Sequence, residues 1–120
     1  QLVEPQTLPS WLTEDDVAYY VGEHTRAGFF GGINWYRNIN AVPAVLAPFV
    51  GSTIRNPSFY IGGELDLIAG NTPEALAVMR DALPDLRHCE LLPGAGHWIQ
   101  QERPAEVNAA LLAFLRSVDG

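Results

Sequence analysis

The sequence has 120 residues, 48% of them hydrophobic and 18% charged, with 7 basic against 14 acidic residues and a net charge of −7. That length bounds the chain to a single core, and the balance is that of a globular protein rather than a disordered tail. No Lys/Arg cluster is present to neutralise a run of phosphates, so nucleic acid is not expected as a partner.

The longest apolar run, "AVPAVLAPFV" at 41–50, is broken by Pro43 and Pro48. It falls far short of the ~20 residues a membrane-spanning helix needs, and no membrane span is expected. A lone Cys89 allows no intrachain disulfide, and no Cys/His grouping has metal-ligand spacing. A reducing, cytoplasmic setting is therefore the simpler expectation, with neither metal nor cofactor. The opening "QLVEPQTLPSWLTEDD" carries no initiator Met, no basic n-region and no apolar h-region, and reads as a piece of something longer.

The first element in chain order is a helix from Thr13, where "TEDD" offers an N-cap and first-turn acids that suit the positive end of the helix dipole. Val17, Tyr20, Val21 and His24 then fall on one helical stripe, which should stop near Gly28. "GFFGGINWYRNI" places three glycines among bulky aromatics, with a short helix expected from about Ile33 to Ile39. Asn40 to Pro57 mixes Pro, Gly, Ser and Asn with apolar residues and reads as a connector with at most one helical turn.

"SFYIG", 58–62, is a short apolar run ended by glycines, as in a strand of a parallel sheet buried on both faces. Thr72 with Pro73 caps a helix whose inner face is Ala75, Leu76, Met79 and Leu83. "HCELL", 88–92, reads as a second strand, and a last helix begins at Pro104 with Val107, Leu111, Phe114, Leu115 and Val118 on one stripe. The order β-α-β-α is that of an open α/β sheet. Its strand Ser58–Gly62 could not be covered by a two-stranded remnant alone, so a further N-terminal portion of the same protein is expected to pack on it.

In such sheets, ligands bind where loops leave the carboxyl ends of strands. Asp66 lies four residues beyond the first expected strand and His97 five beyond the second. An aspartate there can accept a proton-bearing Nδ1 of histidine, leaving Nε2 to take a proton from water or a nucleophile. Gly94 and Gly96 would let the backbone bend to aim the ring. Taken alone, "GHW" also suits a packed corner and Asp66 an ordinary turn. Taken together, acid then base on successive strand-to-helix loops match the last two triad positions of α/β-hydrolases. No G-x-[S/D]-x-G nucleophile elbow and no oxyanion-hole loop accompany them. His24 and His88 suit structural roles, as do Tyr19, Tyr20 and Tyr60, and Trp35 suits packing.

"RAGFFGGINWYRNI" at 26–39 closely resembles the second half of the lid in soluble epoxide hydrolases. "TEDDVAYYVGEHTRAGF" (13–29) resembles the family's lid helix, "GGELDLI" (62–68) its acid loop and "GAGHWIQQERPAEVN" (94–108) its histidine loop and following helix. The resemblance implies the C-terminal part of an α/β-hydrolase fold. Residues 1–40 would be the second half of a helical lid, 41–57 a connector and 58–120 the last strands and helices of the core. It further implies hydrolysis of a small apolar epoxide by water to a vicinal diol, through a covalent alkyl-enzyme ester.

In that scheme Tyr36 is a lid acid, His97 the base and Asp66 its partner, while Trp98 and Ile68 line the substrate pocket. The aspartate nucleophile and the other lid tyrosine would lie in the N-terminal portion, without which no turnover is expected. Two rivals stand beside this reading. One is a haloalkane dehalogenase, against which the NWYR tyrosine argues, and the other is a non-catalytic interaction module retaining a hydrolase remnant. Oligomeric state, a homodimer included, is left open.

Overall fold

In the computed structural model, which describes residues 5–118, Thr13 opens the first helix, α1 (Glu14–Ala27), by a reciprocal cap. Its hydroxyl accepts the Asp16 N–H at 3.2 Å and the Asp16 carboxylate accepts the Thr13 N–H at 2.9 Å, so two otherwise orphaned donors are satisfied at once. Gly28, at φ 72°, ends the helix, a backbone conformation that residues with a Cβ avoid. Residues 1–4 of the expected lid half and 119–120 of the expected core lie outside the described residues. The chain divides between Val50 and Gly51 into two units.

In the first unit, α2 runs Phe30–Arg37, earlier than the Ile33–Ile39 expected, with Gly31 and Gly32 taken into its first turn. The stretch after it is more helical than one turn. A 3-10 turn at Ile39–Ala41, a short helix α3 at Val42–Leu46 and a second 3-10 turn at Ala47–Phe49 follow one another. The reason is the position of the prolines. Pro43 and Pro48 each stand in a first turn, where the missing N–H costs nothing and the fixed φ favours helix. No described residue of this unit is buried, and Tyr20 and Val21 of the α1 stripe are exposed.

The second unit holds β1 (Ser58–Gly63), α4 (Pro73–Ala82), β2 (Leu86–Leu92), a one-turn α5 (Ile99–Glu102) and α6 (Pro104–Val118). Thr72 caps α4, its hydroxyl accepting the Ala75 N–H at 3.2 Å. The strands pair in parallel from Phe59 against His88 to Gly63 against Leu92, and the helix between them is the crossover a parallel pair requires. The α5 turn was not foreseen, since four residues carry no periodicity to read.

Burial is concentrated at one place. Leu92, Ala95, Ile99 and Val107 form a buried cluster, with Ile61 packed against it, so the core lies directly under the segment that carries His97. Of the stripe expected on α6, Val107 is buried and Phe114 packs its ring 5.4 Å from Phe59, whereas Leu111, Leu115 and Val118 stay exposed. Likewise β1 is only half-buried apart from Gly62 and Gly63. Two strands offer too little surface to cover the rest.

Candidate functional site

The pairing of Gly63 with Leu92 means that the loops after β1 and β2 leave the sheet side by side. They touch immediately: the Leu65 N–H donates to the Ala95 carbonyl at 2.9 Å and the Glu64 N–H to the Leu92 carbonyl at 3.1 Å. Gly63 is what permits this approach. A Cβ at that position would stand 2.0 Å from the Gly96 carbonyl oxygen and 2.5 Å from that of Ala95, so only a residue without one fits.

The two loops bring Asp66 and His97 together across 31 positions of sequence, with Nδ1 of His97 2.9 Å from Oδ2 of Asp66. The other carboxylate oxygen, Oδ1, accepts the N–H groups of Ile68 and Ala69 at 2.9 and 3.0 Å. These contacts, the Ala69 amide foremost and the His97 ring next, hold the Asp66 carboxyl below its ordinary value of 3.8 against the opposing effect of burial. The carboxylate is therefore ionised and can only accept, so the hydrogen between the two groups belongs to Nδ1 of His97. The Asp66 side chain is 7% exposed and that of His97 41%. A carboxylate is thus shielded behind an imidazole that reaches solvent.

The remaining hydrogen bonds fix the frame. Glu64 accepts the Gly94 N–H at 3.0 Å, and the two oxygens of Glu102 accept the Gly96 and Trp98 N–H groups at 2.6 and 3.0 Å. The Tyr60 hydroxyl donates to the Asn71 side-chain oxygen, and the Asn71 amide donates to the Gly63 carbonyl at 2.9 Å. Burial, and then the charge of Asp66, push the Tyr60 hydroxyl above its ordinary value, which suits a structural donor. The two loop glycines differ in their reasons. Gly94 has φ 69° and needs its freedom, whereas Gly96 lies outside the left-handed region. At Gly96 the constraint is space, since a Cβ would meet Glu102 Oε1 at 3.0 Å.

Trp98 stands edge-on to His97 with ring centroids 5.1 Å apart and is 56% exposed, and Ile68 is exposed on the acid loop. Tyr36 is 73% exposed on α2, in the first unit. There an open apolar groove is lined by Trp35, Ile39, Val42 and Pro43 among others. Glu64, Asn71 and Glu102 were not singled out from the sequence. No short-range signal marks them, since Glu102 stands four residues after Trp98, one beyond the spacing of an acid that caps a helix start. Among the described residues no group of three or more His, Cys, Asp or Glu side chains could hold a metal ion, and no helix is long and apolar enough to cross a membrane.

No protein-family model matches the chain. Epoxide hydrolase A of Mycobacterium tuberculosis is 43% identical over 121 residues, an alignment covering 99% of this chain and 36% of that protein. The crystal structure of epoxide hydrolase A from Mycobacterium thermoresistibile superposes with a TM-score of 0.80 at 44% identity, over 95% of this chain and 35% of that one. The chain belongs to the epoxide hydrolase family. A Vigna radiata epoxide hydrolase mutant agrees, with a TM-score of 0.86 at 35% identity over 94% of this chain and 37% of its own. The fold is accordingly part of an α/β-hydrolase. The chain spans about a third of the length of the epoxide hydrolases it matches.

Proposed function

We propose that this epoxide hydrolase chain serves the hydrolysis of a small apolar epoxide to a vicinal diol through a covalent ester. The observation that carries the reading is the 2.9 Å contact of His97 Nδ1 with a shielded, ionised Asp66. It leaves Nε2 as the nitrogen that moves protons. In the first step, a carboxylate supplied by the portion of the protein beyond this chain attacks an epoxide carbon and the ring C–O bond breaks. The developing alkoxide takes a proton from Tyr36, aided by a second lid tyrosine outside the chain. A phenol is a stronger acid than the alcohol that the alkoxide becomes, so the transfer runs downhill.

In the second step, His97 Nε2 takes a proton from water, and the resulting hydroxide attacks the ester carbonyl. The acyl C–O bond breaks, the diol oxygen recovers the proton from the imidazolium, which Asp66 stabilises meanwhile, and the carboxylic acid released from the ester returns its proton to the Tyr36 phenolate. Trp98 and Ile68 would form apolar wall around the substrate, and domain limits of 1–40, 41–57 and 58–120 remain the proposed division. The alternative of direct water attack on the epoxide is separable by isotope. In a single turnover of the native protein in ¹⁸O-water, the label should appear in the enzyme and not in the diol. Labelled diol in the first turnover would exclude the ester.

A further inference from the structure

The loop that presents His97 is held through its backbone at residues 93 to 96 and at Trp98, while His97 is held through its ring by Asp66. Pro93 accepts from Arg103 Nη1 at 3.1 Å, Gly94 donates to Glu64 at 3.0 Å, and Ala95 accepts from Leu65 at 2.9 Å. The two residues that flank the histidine are both held by one side chain. Gly96 and Trp98 donate to Oε2 and Oε1 of Glu102 at 2.6 and 3.0 Å, hydrogen bonds strengthened by the carboxylate's charge. The fit is close on both sides. A Cβ on residue 96 would meet the same carboxylate, and Ile99 at the start of α5 is buried, so Glu102 comes to the loop from an anchored turn.

We propose that Glu102 is a positioning residue for His97. By fixing the peptide groups on either side, it sets the backbone torsions that keep Nδ1 on Asp66 and Nε2 in line for water. The role rests on His97 being the base of the ester-hydrolysing step. Since that step alone needs the ring aimed, Glu102 should matter to ester hydrolysis and not to ester formation. A displacement of about 1 Å at such a ring is enough for a loss on the order of 10²-fold.

The test is Glu102→Gln in the native protein, with styrene oxide as the epoxide. Glutamine keeps the shape but offers one acceptor oxygen, so one of the two amides loses its partner. The expected result is ester formation at the native rate, ester hydrolysis slowed roughly 10- to 100-fold, and loss of the downfield ring N–H resonance of His97. Equal slowing of both steps with that resonance intact, or no slowing of either, overturns the proposal. Should Glu102→Gln fail to fold, Glu102→Asp, with both oxygens on a shorter arm, is read by the same three measurements. His97→Gln run in parallel separates the premises. If it hydrolyses the ester normally, the base assignment falls, and the ring resonance alone then decides the positioning role.

Discussion

At the scale of single residues, the proposed chemistry depends on which protons Asp66 and His97 hold. The Asp66 carboxyl lies below its ordinary value of 3.8 because the Ala69 amide and then the His97 ring favour the anion. For an acid depressed in the folded state, the stabilising contribution is present above the ordinary value and is lost as pH falls through the lower folded one. The carboxyl resonance of Asp66 should thus titrate with a midpoint below 3.8; a midpoint above it would mean that burial dominates. Asp66→Asn keeps an oxygen for the Ile68 and Ala69 amides but turns an NH₂ towards Nδ1, favouring the wrong tautomer. Ester hydrolysis should then fall by about 10²–10⁴-fold in single-turnover kinetics. Tyr36→Phe should instead slow ester formation, by about 10²-fold, and an unchanged alkylation rate would remove Tyr36 from the mechanism.

At the scale of elements, what was legible followed from local chemistry. Thr13 and Thr72 mark their helices because a hydroxyl before an acid or a proline satisfies first-turn donors, and both caps form. Thr72→Ala should therefore lower the stability of the folded chain by about 1 kcal/mol in urea unfolding. Asp66 and His97 were legible as a pair because each follows its strand by a short, countable interval, and parallel register then makes them neighbours. The helical content of 39–49 was not legible, since prolines read as breakers also suit first turns. Nor was the loop frame: Glu64, Asn71 and Glu102 act through contacts spanning 30, 8 and 6 positions, which carry no periodicity. Gly63 joins the two kinds. Its glycine appeared as a strand end, but its necessity comes from the carbonyls of Ala95 and Gly96. Gly63→Ala should cost about 1–3 kcal/mol by forcing these loops apart, a change that calorimetry or denaturant titration would register, and a neutral result would show that the loops yield freely.

At the scale of the whole molecule, a stretch matching about a third of epoxide hydrolase A of Mycobacterium tuberculosis carries a shielded Asp66, a solvent-reaching His97 and the hydrogen-bonded loops that hold them. The buried cluster of Leu92, Ala95, Ile99 and Val107 supports the histidine loop, so the core and the Asp66–His97 pair converge on the same segment. Such an arrangement suits a step that must be exact in direction, the delivery of water to an ester, while leaving the apolar positions Leu67, Ile68 and Trp98 exposed on the surrounding loops. The assignment of His97 as the base for that water is the central claim. Its most direct test is the mass of the native protein carrying His97→Gln after mixing with an epoxide. The intact mass should rise by one epoxide, localise to an aspartate beyond this chain, and persist while diol fails to accumulate. An unmodified mass with normal multiple turnover would contradict it.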